Sequence, residues 1–446
     1  MNIKTISGLI LILFSALTAL AQTAQPSSPT PTRPRMVSGN PSPTPTPRIS
    51  PTPYLIPSPT PAPKVVVVTT NLSSPSPTPI QTPRPIFTPT PTVTQVFPTP
   101  TPLPVAYKVL SYGQLRDRIN EAKRLMQTRP TQTALTDSFL ATDIVRLAFY
   151  DWKAAQIDFI VLTKSVFLAR DTELPVISSN GRQVRVRIVR ANGVNTAVTI
   201  FDENNQPQTP LVVQYPIEKN GALAETAYYV SCHPGIATPE VVGAGKLYVR
   251  NTIDIAREKL REKGIFISPQ IADIAERLST VEHIDHQRFW TEYQPQLFNE
   301  IFSLYALNEG ATYRYSVSRA GAGGMVQMIP STYAMMQSRY YNVGLIPDFV
   351  EGMRNHVNAA EAMLLYMQMT WNDLSANETI LLAMMDGTAT QAELMAAGYN
   401  SNPARLAGYI NRGGANWKTL IPAETKVYLQ IYSSLEHAVP MSPRTK

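Results

Sequence analysis

The chain has 446 residues and a formal net charge of +7, and most of its 40 prolines lie before residue 105. Its single cysteine, Cys232, excludes an intramolecular disulfide, so packing must stabilise the folded part. The positive charge is not accompanied by an interleaved aromatic and basic module, so we expect no nucleic-acid partner.

Residues 1–21 have the pattern of a secretory signal peptide. A basic start is followed by an apolar stretch over residues 6–17 and by Ala19-Leu20-Ala21, which is typical of a cleavage site before Gln22. A retained signal anchor is the weaker interpretation, because the apolar stretch is short for a membrane span. We therefore predict an exported protein, located in the periplasm, the cell wall or the extracellular space.

Residues 22–104 are dominated by Pro, Thr and Ser and contain no Asp or Glu. Proline fixes φ and removes hydrogen-bond donors, so the composition predicts a disordered Pro/Thr-rich linker with extended polyproline II character. The favoured role is that of a spacer. Its positive charges would also favour peripheral contact with an anionic wall polymer or a membrane surface.

The next part of the chain contains two sections with different periodicity. Residues 105–175 have apolar positions at helical spacing, with Ser111 and Gln114 placed as a capping pair, and predict a helical section. Residues 176–250 alternate with a period of two, and Asn192-Gly193 supplies a hairpin turn, which predicts a β-rich section. Neither section resembles a family, and neither indicates a chemistry.

Helical signals then resume. Asn251 or Thr252 is predicted to cap the first helix, and Ser268-Pro269 is predicted to open the next, because proline at the first helical position needs no partner for its missing donor. Pro295 is predicted to begin a further helix with a broad apolar face. This part of the chain is therefore expected to be mostly helical.

Two short motifs suggest other chemistry, and neither leads to an assignment. Residues 282–286 read Glu-His-Ile-Asp-His, but no third ligand follows at a recognisable spacing, so we predict no metal site and no cofactor. Cys232 directly precedes His233, and a thiol nucleophile of a peptidase is the less favoured hypothesis because sequence neighbours rarely face each other as a dyad. A buried, inert thiol is the favoured interpretation.

Glu309 follows the predicted helix that ends at Asn308, and a glycine-rich stretch over residues 318–332 begins nine residues later. Aromatic neighbours such as Tyr305 or Tyr313 are expected to desolvate its carboxyl in part. A glycine-rich loop lets the backbone approach a bulky ligand. We therefore predict that Glu309 is a catalytic acid in a saccharide cleft.

The spacing of these residues also matches a known pattern, which runs from a Glu to a Ser nine residues later and then to Gly-Ala-x-Gly-Leu-Met-Gln-x-Met-Pro. The matching residues are Glu309, Ser318, Gly321, Ala322, Gly324, Gln327 and Pro330. Residues 397–403 and 422–428 match later blocks, and residues 356–360 match a fourth more loosely. Over residues 295–435 the chain thus resembles the lytic transglycosylases of the soluble, goose-lysozyme-like type.

The resemblance implies a mostly α lysozyme-like catalytic domain over residues 251–446, in a chain that is α+β overall. A helical and β-rich domain of unknown family and the disordered linker would precede it. It also implies cleavage of the β-1,4 bond between N-acetylmuramic acid and N-acetylglucosamine in peptidoglycan glycan strands, with a 1,6-anhydro product. Glu309 would serve as the single acid and base, because the attacking C6 hydroxyl belongs to the substrate.

The resemblance also suggests which residues bind the substrate. Gln327 and Asn400 each offer a donor and an acceptor to an acetamido group. Tyr399 matches a family tyrosine that reaches toward the catalytic acid, and it would orient Glu309 or pack in the core. Ser318 is expected to shape the loop. Met325 is expected to line a sugar subsite or the core.

Two alternative functions remain open from the sequence. A muramidase of the same fold would admit water to the cleft in place of the C6 hydroxyl, and the sequence discriminates poorly between these two nucleophiles. A non-catalytic peptidoglycan-binding protein is the second alternative. Gly310 favours it, because the family usually has Ser there, whereas the presence of Glu309 and Gln327 argues against it.

Overall fold

The computed structural model describes residues 107–129 and 140–445, and the predicted signal peptide 1–21 and linker 22–104 lie outside this part of the chain. Helices and strands both occur in the described residues, so the predicted α+β class is confirmed. Within these two ranges, none of the helices is long and apolar enough to cross a membrane.

The described chain begins with helix α1, Tyr112–Thr128. The Ser111 hydroxyl accepts a hydrogen bond from the Gln114 N–H, and the Gln114 side chain accepts one from the Ser111 N–H, so the predicted capping pair is confirmed. Seven strands and a short helix, α2, follow. They are β1 Ile144–Asp151, β2 Gln156–Thr163, α2 Lys164–Phe167, β3 Glu173–Ile177, β4 Gln183–Arg190, β5 Ala197–Asp202, β6 Pro207–Lys219 and β7 Ala222–Tyr229.

The strands form one curled antiparallel sheet in the order β2-β1-β6-β5-β4-β3, with β7 paired to β6. Strand β6 is long enough to pair with β5 at its start, with β1 in its middle and with β7 at its end. The loop containing Asn192-Gly193 joins β4 to β5, which are antiparallel neighbours, so the predicted hairpin is confirmed.

Strands β1 and β2 lie within residues 105–175, for which the sequence predicts helix, so that prediction is correct for α1 and wrong for the sheet residues. The cause is burial on both faces of β1. Leu147 and Phe149 pack on one face of the sheet, whereas Ala148 and Tyr150 pack on the other together with α1. A strand buried on both faces is a continuous apolar run, which periodicity cannot distinguish from a buried helix.

The rest of the described chain is helical. Its helices are α3 Pro239–Glu262, α4 Pro269–Val281, α5 His286–Thr291, α6 Gln294–Asn308, α7 Pro330–Arg339, α8 Phe349–Arg354, α9 His356–Ser375, α10 Glu378–Met385, α11 Gln391–Asn400, α12 Leu406–Gly413 and α13 Ala423–Ala438. Helix α9 lies at the centre of this part, where Ala359, Met363 and Leu364 are fully buried against α3, α4 and α11.

Two helix starts test the capping predictions. Ser268 caps α4 and Pro269 is its first residue, as predicted. Helix α3, however, begins at Pro239, where the Thr238 hydroxyl accepts a hydrogen bond from the Val241 N–H. The predicted start at residue 251 or 252 is therefore wrong, and the β-rich section ends near residue 229 rather than 250. The Thr-Pro pair at 238–239 is the earlier cap.

Helices α3 and α6 join the sheet to the helical part. Val241 of α3 and Ala306 of α6 pack in the core between the sheet and α1, whereas Val249 and Phe302 of the same two helices pack in the helical core. The two helices approach each other closely at Gly245, where an added Cβ would lie 1.8 Å from the Phe302 carbonyl oxygen. A side chain at this position would separate the two helices.

The end of α6 is fixed to the chain beyond β7. The buried Asn308 side chain accepts a hydrogen bond from the Val230 N–H and donates one to the Val230 carbonyl, each at 2.8 Å. Both polar groups of the Val230 backbone are thereby satisfied away from water, as buried backbone groups require. The residue that follows α6 is therefore held on the α1 side of the molecule.

Gly245→Ala should lower the free energy of unfolding by about 3 kcal/mol or more, because the new methyl group collides with backbone that cannot rotate away. Gly243→Ala is the matched control, since Gly243 lies on the exposed side of α3 with open space around its Cβ position. That variant should be more stable by about 0.5–1 kcal/mol. Denaturant unfolding of both variants measures the difference, and equal stabilities would contradict the close α3–α6 contact.

Candidate functional site

A cavity of about 500 Å³, here called the helix-side cavity, opens between the end of α4, the glycine-rich loop, the end of α11 and the start of α13. Ser318, Gln327, Tyr399 and Asn400 all line it. The structure thus brings together four of the six residues predicted for the site, although they are separated by up to 82 positions in the sequence (400 − 318).

Glu309 lies elsewhere, so the prediction that it sits in the cleft is wrong. Its side chain is 55% exposed, and one carboxylate oxygen lies 3.2 Å from Nη2 of Arg116 on α1. It lines a separate cavity of about 80 Å³ with Ile119 and Lys123 of α1. At Glu309 the backbone turns, with φ of 47° and ψ of −126°, and α6 ends.

Two carboxyl groups line the helix-side cavity, those of Glu424 and of Glu282, the residue that follows α4. Glu282 is half-buried, and the Tyr428 hydroxyl donates a hydrogen bond of 2.6 Å to its Oε1. Burial raises the pKa of Glu282 to about 8; the Tyr428 hydrogen bond opposes this rise and the charge of Glu424 adds to it. Glu282 therefore carries a proton at neutral pH and can donate it.

The walls of the helix-side cavity explain why Glu282 stays neutral. Val281, Ile284 and Met328 bring apolar groups to the carboxyl, and no Lys or Arg lines this cavity among the described residues. Glu309, by contrast, is exposed and lies beside Arg116. The two glutamates thus have opposite surroundings, and only those of Glu282 suit a proton donor near neutral pH.

Gln327 is a predicted residue that lines the same cavity as Glu282. Its backbone has φ of 46°, which is uncommon for a residue with a side chain. The amide nitrogen donates to the Gly324 carbonyl at 2.9 Å and to the Ser316 hydroxyl at 3.3 Å. The amide oxygen accepts no hydrogen bond from the described residues, so it can accept one from a ligand N–H or O–H.

The other lining residues have mixed roles. Asn400 accepts a hydrogen bond from the Thr425 hydroxyl at 2.8 Å, which leaves its amide N–H groups for a ligand. The Tyr399 hydroxyl donates to the Val326 carbonyl at 2.7 Å, so it supports the glycine-rich loop and orients no glutamate. The Ser318 hydroxyl accepts from the Ala322 N–H at 3.0 Å, which agrees with its predicted role in shaping the loop.

Met325 is fully buried and lines neither side of the cleft, so its predicted contact with substrate is wrong and its alternative place in the core is confirmed. The neighbouring Gly324 causes this burial. Gly324 has φ of 67°, and a Cβ added to it would lie 2.4 Å from the Met353 carbonyl oxygen. The loop can therefore pack closely against α8 at this glycine. The Met325 side chain consequently points into the helical core.

Two histidines, the half-buried His283 and the buried His356, donate hydrogen bonds to backbone carbonyls near the site. Nε2 of His283 donates to the Met325 carbonyl at 2.9 Å, and Nε2 of His356 donates to the Thr312 carbonyl at 2.8 Å. Burial lowers the pKa of His283 to about 3 and that of His356 to about 4, so both rings are neutral. The histidine of the 282–286 motif therefore supports backbone, and in residues 107–129 and 140–445 no group of three His, Cys, Asp or Glu forms a candidate metal site.

The Cys232 and His233 pair has the surroundings of a structural pair. Both residues are buried, and burial raises the pKa of the Cys232 thiol well above its usual range. The His233 Nδ1 accepts a hydrogen bond from the Gly235 N–H at 3.0 Å rather than from a thiol. This arrangement provides no activated thiolate, in agreement with the favoured interpretation.

A second, larger cavity meets the first at Glu282. This sheet-side cavity has a volume of about 660 Å³ and lies between the β4–β5 loop and strands β6 and β7 on one side and α5 and α6 on the other. Glu282, Ile284 and Gln327 line both cavities. The proton-donating carboxyl therefore lies where the two compartments join, and a ligand at Glu282 can extend to both sides.

Sequence reasoning missed Glu282 and Tyr428 as site residues. One signal could have found the first: the helix opened by Ser268-Pro269 ends at a glutamate flanked by the apolar residues Val281 and Ile284, with no Lys or Arg next to it. Tyr428 stands in a matched block of the sequence, residues 422–428, but its partner could not be read from the spacing.

No known protein family, curated protein or solved structure matches this chain. The function is therefore argued from the geometry of the two cavities and from the residues at their junction. These are a neutral carboxyl, a tyrosine that binds it and two amide side chains with free hydrogen-bonding groups.

Tyr428→Phe should raise the pKa of Glu282 further, because it removes the hydrogen bond that favours the ionised carboxylate. Tyr399→Phe is the matched control, since that hydroxyl binds the Val326 carbonyl and its loss should leave the pKa of Glu282 unchanged. Carbon-13 NMR titration of the glutamate carboxyl groups measures both. If the Glu282 carboxyl itself titrates near 4.5 in the unmodified protein, its proposed environment is wrong.

Proposed function

We propose that this protein is an exported peptidoglycan lytic transglycosylase in which Glu282, rather than Glu309, is the catalytic acid and base. The single observation that carries the proposal is the neutral carboxyl of Glu282 at the junction of two cavities. A glycan strand is a linear polymer with sugars on both sides of the bond to be cut. An acid at such a junction can reach that bond while each cavity holds one part of the strand.

The protonation state of Glu282 suits both steps of the reaction. With a pKa of about 8, the group is protonated at neutral pH and can donate its proton to the glycosidic oxygen. The resulting carboxylate is a stronger base than an ordinary glutamate, so it can take the proton of the C6 hydroxyl as this oxygen attacks C1. The C1–O bond to the leaving sugar breaks, and the 1,6-anhydro ring closes.

Neighbouring side chains would assist in distinct ways. Tyr428 holds the Glu282 carboxyl in one orientation and stabilises its ionised form after proton transfer. The free amide oxygen of Gln327 would accept the N–H of an acetamido group, and the free amide N–H groups of Asn400 would donate to its carbonyl. These contacts would fix a sugar ring against the acid.

The sequence resemblance supports this proposal in a corrected form. Residues 397–403 and 422–428 match two family blocks, and both contribute side chains to the helix-side cavity beside Gln327. We infer from this a lysozyme-like arrangement for the helical part of the chain. The acid of that arrangement would be supplied by the end of α4, with α5 and α6 inserted between the acid and the glycine-rich loop.

Hydrolysis by water is the second candidate reaction, and one observation favours it. Glu424 lines the same cavity as Glu282, and its charge acts on the pKa of Glu282. A second carboxylate in the cleft could activate a water molecule, as in glycosidases that use two acids. A binding protein without activity is less favoured, because binding a glycan does not require a carboxyl group kept neutral by burial.

Location and partner follow as part of the same proposal. Peptidoglycan lies outside the cytoplasmic membrane, so the enzyme would need the export that the sequence of residues 1–21 predicts. The glycan strand would be the partner. The Pro/Thr-rich residues 22–104 would act as a spacer between the wall and the catalytic part.

Glu282→Gln should reduce the release of fragments from purified peptidoglycan by about 10²–10⁴-fold, because the amide cannot transfer a proton. Glu309→Gln should stay within about twofold of the unmodified protein, since it removes only an exposed ion pair. Mass spectrometry of the soluble fragments reports the product. Ends in 1,6-anhydro-muramic acid support the transglycosylase, reducing ends support the muramidase, and loss of activity in Glu309→Gln alone would refute the role of Glu282.

The stability of Glu282→Gln provides the control for folding. The pKa of Glu282 is raised on folding, so its contribution to stability is present below about pH 4.5 and is lost as the pH rises to about 8. A glutamine at this position has no such loss. Thermal unfolding at pH 8 should therefore give the variant a Tm at least equal to that of the unmodified protein.

The pH dependence of cleavage should report the same group. Activity requires the protonated form of Glu282, so kcat/KM should fall about tenfold per pH unit once the pH exceeds about 8. Assays on soluble glycan fragments between pH 5 and 10 would measure this limb. Tyr428→Phe should move it to higher pH, and a limb that does not respond to that change would argue against Glu282 as the acid.

A further inference from the structure

The sheet-side cavity has a chemistry that cleavage of a neutral sugar backbone does not need. Its sheet wall carries two arginines, Arg170 and Arg190. The Arg170 guanidinium has no hydrogen bond or ion pair with the described residues. Arg190 has a single ion-pair partner, Glu300, at 3.5 Å, and Glu300 also binds Arg288 at 2.8 Å. This wall therefore has cationic groups that are incompletely neutralised.

The position of Arg190 results from a local irregularity of the sheet. The register between β4 and β5 shifts between Ile188 and Arg190, which is a β-bulge. A bulge bends a strand and redirects the side chains that follow it, and bulges are frequent beside binding sites. Arg187, before the bulge, is exposed on the same strand and does not line the cavity. Because of the bulge, Arg190 pairs with Ala197 on the same face as Arg187 rather than on the buried face of Ile188, and Arg190 lines the cavity because it ends the strand.

Arginine side chains favour a carboxylate, which they can bind through paired N–H donors. Arg170 and Arg190 therefore offer an anion-binding wall to a ligand in this cavity.

We propose that the sheet-side cavity binds the peptide stem attached to the muramic acid residue, with Arg170 and Arg190 on a stem carboxylate. This inference rests on the proposed function and specifies the substrate as peptide-bearing glycan. A stem carries carboxylates and amide N–H groups close together. A volume of about 660 Å³ is in the range that holds a drug-sized ligand, which is more than the lactyl carboxylate of a bare muramic acid would fill.

The test uses the full chain with Glu282→Gln, which binds without cutting. Its affinity is measured by calorimetry for two tetrasaccharides of alternating N-acetylglucosamine and N-acetylmuramic acid, one with stem tetrapeptides and one with free lactyl carboxylates. Arg170→Gln and Arg190→Gln are then added together. We expect the Kd for the peptide-bearing fragment to rise about tenfold or more, and the Kd for the bare fragment to stay unchanged.

The control is Arg187→Gln in the same background, which removes one positive charge from β4 outside the cavity and should change neither Kd. A double variant that weakens only the bare fragment would assign the arginines to the lactyl carboxylate and overturn the proposal. Equal Kd values before and after the double change would also overturn it. If the Glu282→Gln protein binds neither fragment, the proposed function fails first and this inference fails with it.

Discussion

The close contact of α3 with α6 determines the geometry of the whole described part. Gly245 allows the two helices to approach until its missing Cβ would overlap the Phe302 carbonyl oxygen. Each helix then contributes to two cores, one under the sheet and one among the helices. Because α6 also supplies Ile301 and Leu304 to the sheet-side cavity, the width of that cavity depends on the same contact. Packing at one glycine thus sets the distance between the sheet and the carboxyl of Glu282.

Glu309 and Glu282 have the same side chain but different surroundings, and the surroundings determine which carboxyl group suits a proton donor. Glu309 lies at the surface beside Arg116, and its side chain is 55% exposed. Glu282 faces apolar side chains and a tyrosine hydroxyl, so its neutral form is favoured. Burying that carboxyl in part costs free energy of folding, and the packing of α4 and α13 offsets this cost. The protein is therefore less stable, but the carboxyl keeps a proton near neutral pH.

Local features were predictable from the sequence, and long-range placement was not. The caps at Ser111 and Ser268 depend on residues within one helical turn, and both were predicted correctly. Glu309 was chosen because it precedes Gln327 by 18 positions (327 − 309), whereas Glu282 precedes it by 45 (327 − 282). Between Glu282 and Gln327 the chain leaves the cleft through α5 and α6 and then returns. The spacing of residues along the sequence does not reveal such a return. Gln327, Tyr399 and Asn400 were selected from the resemblance to family blocks, and the structure places all three at the helix-side cavity.

The sharing of α3 and α6 between both cores has a consequence for how a polymer reaches the acid. A hinge between the sheet and the helices would have to bend two continuous helices and separate backbone atoms at Gly245. Opening by domain rotation is therefore disfavoured, and the compartments keep their shape while empty. With the proposed function, we expect a glycan strand to enter along the cleft without a rotation of the sheet relative to the helices. Such a rigid cleft requires little reorganisation on binding, but it admits only glycan strands whose side branches fit under the sheet.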